Sequence, residues 1–252
     1  MNTQEALLNF CLRLADNNMI AAQRLAEWCS RGPILEEDLA LTNISLDLFG
    51  QAENFYEYAA TLQNNGKTAD DLAFLRSERE YFNNLLVEQP NGDFAFSTMK
   101  QFLYAAFAKP LYEALQASKD ETLKGITSKA VKEIKYHLRH SSEWLVRFGN
   151  GTEESLKRSQ TALNELWRYT DDMFLMNDND KALIEAGISI DLNTVKASFM
   201  ATVNEIFKAA HLSIPETNNI ITGGCNAIHS EHLGVMLCEM QYLQRAHPGA
   251  QW

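Results

Sequence analysis

The sequence predicts an all-α fold, and three observations support that prediction. Apolar residues recur every three or four positions along most of the 252 residues, as they do on one face of a helix. Alternation of apolar and polar residues, which is typical of half-buried strands, is hard to find. Several periodic stretches also end at Gly, Pro or Asn clusters, which are common helix terminators.

Two long helices begin the chain. The first is predicted from about Thr3 to Cys29, where "SRGPI" ends it, and the second from about Leu35 to Gln63, before "NNG". The second helix carries an apolar stripe without polar interruption: Leu41, Ile44, Leu48, Ala52, Phe55, Ala59 and Leu62. Beside it runs a mostly polar line: Asn43, Asp47, Gln51, Asn54 and Tyr58. Such a line can be buried only if each group finds a hydrogen-bond partner.

The middle of the chain predicts one short and two long helices. A short helical stretch is expected at about Ala69 to Asn83, before the turn "EQPNGDF". The next helix is expected from about Ser97 to Ala117, with a kink at Pro110 because proline lacks a backbone N–H. The following helix covers about Glu121 to Phe148 and is closed by "GNG".

Three further helices are predicted at about Glu153 to Met176, Leu192 to Ala210 and Ala227 to Ala246. The stretch "TNNIITGGCN", residues 217–226, is interpreted as a loop; its Gly pair is a weak phosphate-binding signal because no strand precedes it. No repeat, low-complexity segment or linker suggests a second domain, so residues 1–252 are predicted to form one. Long antiparallel helices indicate a ferritin-like helical bundle with additional helices.

Composition limits the classes of partner. The formal charge of −11 disfavours nucleic acids and anionic membranes, whose recognition relies on basic patches. The four cysteines show no C-x-x-C spacing, which favours reduced thiols and a cytoplasmic location. No 18-residue apolar stretch or signal peptide is visible, so we expect no membrane association.

The stretch "KEIKYHLRHSSEW", residues 132–144, is the strongest candidate for a metal site. Glu133, His137 and His140 are spaced by four and three residues and so share one helix face. A ferritin-like dimetal site needs carboxylates from several helices and two E-x-x-H motifs. None of the six histidines has Glu or Asp three residues before it, so the motif does not occur.

The nearest approaches to the motif lack its ligands. In "IKYH", Ile134 stands where Glu is needed before His137. In "DLFGQ", Leu48 and Gln51 stand where Glu and His are needed. These residues suit a core without ions. We therefore predict no metal in this chain, and interpret Glu133 and His137 as a structural pair that reaches Asp47 and Gln51 on the second helix.

Several segments resemble one family, the C subunits of the ring 1,2-phenylacetyl-CoA epoxidases. The matching segments are "RLAEWCSRGPILEEDLALTNISLDLFGQAENF", "FNNLLVEQPNGDFA", "KEIKYHLRHSSEWLVRFGNGT", "LWRYTDDMF", "HSEHLGVMLCEMQYLQR" and the ending "PGAQW". They cover most of the chain.

The resemblance implies a structural subunit without a cofactor of its own. It would pair with a homologous di-iron catalytic subunit, which inserts one oxygen atom of O2 into the aromatic ring of phenylacetyl-CoA. Electrons would come from NADPH through a reductase subunit. The positions Asp47, Leu48, Gln51, Glu133, Ile134 and His137 would be the remains of a metal site.

Two segments are candidates for contact with the nucleotide tail of a CoA thioester held mainly by the partner. In "SEREYFNNLL", residues 77–86, aromatic rings could stack on adenine and amides could bond to it. The residues concerned are Glu80, Tyr81, Phe82 and Asn83. Lys181, with Ala182 and Leu183 beside it, could meet a phosphate. A packed aromatic and a surface lysine are the simpler interpretations.

Two alternatives to the structural subunit stay open at this point. The chain could be a dimetal enzyme with an unorthodox ligand set, or a helical interaction module unrelated to oxygenases. His229 and His232 also share a face, but the apolar stripe that follows His229 favours a core or interface histidine.

Overall fold

The computed structural model describes residues 2–250, and within them all regular secondary structure is helical. The all-α prediction is confirmed. The last two residues of the matching ending "PGAQW" lie outside the described part. Along residues 2–250, no helix combines the length and apolar character needed to cross a membrane.

Two helical hairpins form the centre of the fold. Helix α1 (Thr3–Ala26) packs along α2 (Leu35–Gln63), and α5 (Phe94–Leu115) packs along α6 (Glu121–Gly149). Side-chain contacts pair the beginning of α2 with the end of α6, so these two helices run antiparallel. Two packed helical hairpins are the arrangement typical of ferritin-like bundles.

Shorter helices surround this centre. They are α3 (Ala69–Phe74), α4 (Leu85–Glu88), α7 (Glu153–Leu166), α8 (Asp178–Ala186), α9 (Leu192–Ala209), α10 (Glu231–Met240) and α11 (Tyr242–Ala246). Helix α8 covers α1, whereas α7 and α9 cover α5 and α6. Helices α1 and α5 are consequently the most buried of the four long helices.

The core follows the predicted apolar stripe of α2. Six of its seven residues are buried, and the seventh, Leu62, is partly buried. One cluster of buried apolar side chains runs through both hairpins and the covering helices. Burial of this stripe is a large source of stability, since each fully buried aliphatic side chain contributes about 1.5 to 3 kcal/mol.

Two predicted helices end earlier than expected, and in each case a buried carboxylate holds the residues that follow. The stretch after Phe74 leaves the helix, and Arg76 together with the backbone N–H of Phe82 binds Asp16. The helix predicted to reach Met176 ends at Leu166. Two 3-10 turns follow it, and the second contains Asp172.

The last predicted helix also begins later and breaks once. Ala227 adopts a left-handed conformation with φ of 56°, so it cannot be the start of an α-helix. The helix begins at Glu231 and is interrupted at Gln241. Conversely, α5 begins three residues earlier than predicted because Asp93 caps it by accepting from Phe96 N.

Candidate functional site

Four polar residues lie between α2 and α6, and we call them the polar seam: Asp47, Gln51, Glu133 and His137. Nε2 of His137 lies 3.0 Å from Oδ2 of Asp47. Nε2 of Gln51 donates to Oε2 of Glu133 over 2.8 Å. The expected contacts across the two helices are therefore present.

The seam corrects one detail of the sequence interpretation. Glu133 and His137 do not bond to each other; each bonds to a different residue of α2. Residues four apart on a helix are neighbours, but their side chains here point across the interface to Asp47 and Gln51. Glu133 and His137 thus belong to two separate hydrogen-bonded pairs.

Two buried polar atoms of the seam have no hydrogen-bond partner. Because the carboxylate of Asp47 can only accept, Nε2 of His137 carries the hydrogen of this bond. Nδ1 of His137 and Oε1 of Gln51 are both buried without a bond. An unpaired buried acceptor costs about 1 to 3 kcal/mol, so this group of residues is not arranged for maximal stability.

The positions that would carry metal ligands do not fit a dimetal centre. Leu48 and Ile134 are fully buried and apolar, and Gln51 is uncharged. Two metal ions in such an interior need several carboxylates to balance their charge. Within residues 2–250, no three His, Cys, Asp or Glu side chains come close enough together to hold a metal ion. These positions therefore lack the charged ligands of a dimetal centre.

Polar contacts extend the α2–α6 interface beyond the seam. Oε2 of Glu37 accepts from Nε2 of His140 and from Nε1 of Trp144, each over 2.8 Å. At the other end, the hydroxyl of Tyr58 donates to Asp120 over 2.7 Å. The interface is therefore held by hydrogen bonds along its whole length.

A second carboxylate–histidine pair, Glu88 and His229, lies in the interior and was not predicted. Nδ1 of His229 lies 2.5 Å from Oε1 of Glu88, and Nε2 lies 2.8 Å from the carbonyl oxygen of Tyr81. Both partners only accept, so both ring nitrogens carry a hydrogen and the ring is an imidazolium. Burial alone would lower the pKa of His229, but the hydrogen bond and charge of Glu88 raise it above its ordinary value.

Every oxygen of the Glu88 carboxylate is bonded. Oε1 also accepts from Nδ2 of Asn83 over 2.9 Å, and Oε2 accepts from the backbone N and the hydroxyl of Ser230. Asp172 makes a similar contact, because its carboxylate accepts from the backbone N of Leu85, Gly223 and Gly224. These two carboxylates attach the C-terminal segment to the middle of the chain. The Gly pair therefore binds a carboxylate of its own chain.

The candidate CoA-contact residues differ in exposure. Tyr81 and Asn83 are fully buried; the Tyr81 ring lies under Arg76, and the Asn83 amide bonds to Glu88. Their expected role in offering a ring face or an amide to a ligand is corrected, since the protein already uses both groups. Leu183 is likewise buried.

Other members of that set reach the surface. Glu80 and Lys181 are exposed, and Lys181 pairs with Asp178 over 2.9 Å. Phe82 and Ala182 are partly buried, and Phe82 lines a narrow cleft with the residues that begin α8. The structure therefore places Phe82 near the segment that contains Lys181, although the two lie about 100 residues apart in sequence.

Comparison with known proteins gives consistent matches over the whole chain. The family model described as "Phenylacetic acid catabolic protein" matches residues 1–252. A curated relative, the C subunit of the 1,2-phenylacetyl-CoA epoxidase of Escherichia coli (strain K12), is 49% identical over 246 residues, which are 98% of this chain and 99% of that protein.

Proposed function

Because the chain belongs to the phenylacetic acid catabolic protein family, we propose that it is a subunit of a multicomponent phenylacetyl-CoA epoxidase. In this proposal, it supports a homologous di-iron subunit and holds no iron itself. The match of the family model to residues 1–252 argues against a helical module unrelated to this family. We also propose that the protein is cytoplasmic, as expected from the sequence.

One observation carries the non-catalytic role. Leu48 and Ile134 occupy the buried positions where a ferritin-like site would place glutamates, and Gln51 occupies a histidine position. Apolar side chains there remove the charge that would balance metal ions. The identity to an epoxidase C subunit over nearly the whole chain supports the assignment of the complex.

Coexpression with a di-iron subunit of the same family tests this function. We expect a stable complex that oxidises phenylacetyl-CoA when supplied with NADPH and a reductase, with all the iron in the other subunit. The isolated chain should contain much less than one iron per molecule and show no oxygenase activity. Stoichiometric iron with O2 reactivity in the isolated chain would instead support the unorthodox dimetal enzyme.

We also propose that the surface near Phe82 and Lys181 contacts the nucleotide tail of the CoA thioester in that complex. Phe82 in its narrow cleft and the exposed Lys181, which pairs with the equally exposed Asp178, are members of the set that a ligand can reach. Phe82→Ala and Lys181→Ala should each weaken thioester binding a few-fold, in line with about 1 kcal/mol for one contact. Lys208→Ala, an exposed lysine on α9, is the control. Unchanged affinity in both variants would remove this part of the proposal.

A further inference from the structure

The outer face of α2 carries an apolar stripe that the described chain leaves open. Leu35, Leu39 and Leu46 are 71%, 55% and 60% exposed. Asn43 and Gly50 lie on the same face, because spacings of three and four residues keep all five within about 80° of the helix circumference. A Cβ atom placed on Gly50 would meet nothing within 4 Å. We call these five residues the α2 stripe.

The stripe faces away from every helix that α2 contacts. Helix α2 packs against α1, α3 and α6, and its buried residues lie on the opposite side from the stripe. By contrast, α7, α8 and α9 cover the other long helices. Several large apolar side chains aligned on an exposed face are typical of an interaction surface.

The order of residues makes the stripe self-complementary. Leu39 and Leu46 lie at equal distances on either side of the midpoint between Thr42 and Asn43, and so do Leu35 and Gly50. If a second α2 packs antiparallel across this midpoint, Leu39 of each copy meets Leu46 of the other. Leu35 of each copy then fills the open space over Gly50 of the other, as a large side chain packs into a gap.

The charges fit the same pairing. Arg31, in the turn before α2, and Glu53 are exposed at about equal distances from the midpoint, and neither belongs to an ion pair within the described residues. An antiparallel pairing brings Arg31 of one copy towards Glu53 of the other. Glu36 would lie opposite Phe49, and Asp38 would lie level with Asp47 but on the other side of the pair, because nine residues turn a helix through about 180°.

We propose that the α2 stripe binds a second copy of this chain. The contact is an antiparallel α2·α2 pair with a two-fold axis that passes between Thr42 and Asn43. A two-fold contact of this kind uses the same surface on both copies. This inference goes beyond the proposed function, because it concerns the isolated chain and requires no other subunit.

Molar mass in solution tests the contact. At about 50 µM, where an interaction with a micromolar Kd is mostly formed, sedimentation should give twice the chain mass of 28.5 kDa. Leu39→Glu combined with Leu46→Glu should give 28.5 kDa, and Gly50→Leu should do the same. Gly50→Leu improves helix propensity, so its effect would not result from unfolding.

A matched control uses an exposed apolar residue elsewhere. Val235 on α10 is 65% exposed, and Val235→Glu should leave the doubled mass unchanged. A wild-type chain that stays at 28.5 kDa would overturn the proposal, as would stripe variants that keep the doubled mass. Stripe variants that keep that mass but fail to bind the di-iron subunit would identify that subunit as the occupant and also overturn it.

Cysteine crosslinking tests the register. In a Cys29→Ser, Cys238→Ser background, which removes both exposed thiols, Asn43→Cys should form a disulfide with its own counterpart next to the axis. Leu35→Cys alone should not crosslink, whereas a mixture of Leu35→Cys and Gly50→Cys chains should. Crosslinking of Leu35→Cys with itself, or none in Asn43→Cys, would contradict the proposed axis. Loss of the proposed epoxidase function would change none of these results, since each is measured on this chain alone.

Discussion

The Asp47–His137 pair and the Glu88–His229 pair join the same types of side chain but differ in how fully they are bonded. Both histidines are fully buried. Both nitrogens of His229 are bonded, whereas Nδ1 of His137 has no partner. The Glu88 carboxylate is fully buried, and the Asp47 side chain is 37% exposed. A complete set of partners indicates a structural role, and an incomplete one indicates a site not arranged for stability.

The positions of the two pairs strengthen this distinction. Glu88 and His229 connect segments 141 residues apart, so their bonds hold the C-terminal part of the chain in place. Asp47 and His137 connect two helices that already share other contacts at both ends. Loss of the first pair should therefore affect folding far more than loss of the second.

The largest expected effect is that of Glu88→Ala. It leaves the His229 imidazolium, Asn83 and Ser230 without their acceptor in the interior, so the free energy of unfolding should fall by about 3 to 5 kcal/mol. Urea unfolding measures this change. The control is Glu113→Ala, which removes two partly exposed ion pairs, with Lys109 and Lys135, and should cost about 1 kcal/mol or less. Equal losses in the two variants would contradict the structural role of Glu88.

His229→Gln should show how the stabilisation provided by the Glu88–His229 pair depends on pH. The folded-state pKa of His229 is raised above its ordinary value of 6.5, so the stabilisation from its charge is complete below that value. As the pH rises through the folded-state pKa, the ring loses its proton and this stabilisation is lost. The difference in unfolding free energy between wild type and variant should be about 1 to 3 kcal/mol at low pH and should then decrease. A difference that is constant from about pH 6 to pH 9 would mean that the ring is not charged.

The difference between the two pairs also explains what the sequence could predict. Asp47 and Gln51 belong to a polar line on a long helix, and Glu133 and His137 to a second such line, so both could be found from their spacing. Glu88 lies in a helix of four residues within the apolar run "LLVE", where spacing carries little information. Its partner is distant in sequence, and only the folded chain brings them together.

Helix ends were mispredicted for the same reason. Local propensity does not indicate that Asp16 binds Arg76 and the backbone of Phe82, or that Asp172 binds three backbone N–H groups. Tyr81 and Asn83 were candidates for contact with a ligand, although a packed aromatic was the simpler interpretation of this stretch. They are buried because Arg76 and Glu88, each five residues away, and the distant Gln241 supply their partners. Long-range polar contacts override local pattern at these positions.

A double-mutant cycle on Asp47 and His137 should show moderate coupling. With Asp47→Ala and His137→Leu, we expect a coupling of about 0.5 to 1.5 kcal/mol, which is typical of one hydrogen bond. The control cycle uses Glu133→Gln with His137→Leu, whose side chains bond to different residues, and should give a coupling near zero. Stronger coupling in the control cycle would mean that Glu133 and His137 act as one unit.

The smallest effect is expected at Gln51, and it tests whether the polar seam is tuned for stability. Gln51→Leu removes one hydrogen bond to the partly exposed Glu133, but it also removes the unpaired Oε1 from the interior. These changes oppose each other, so the free energy of unfolding should change by about 0.5 kcal/mol or less.

Gln51→Glu has nearly the same shape as the wild-type side chain but places a third carboxylate beside Asp47 and Glu133. Repulsion should raise the pKa of the new carboxyl group, so the variant should be destabilised at pH 7 and should recover as the pH falls towards the ordinary range of Glu. Urea unfolding of both variants, at pH 7 and at a pH near the ordinary pKa of Glu, measures these changes. A large fall in the free energy of unfolding of Gln51→Leu would contradict this expectation. It would show that the hydrogen bond to Glu133 stabilises the fold, as the Glu88–His229 pair does.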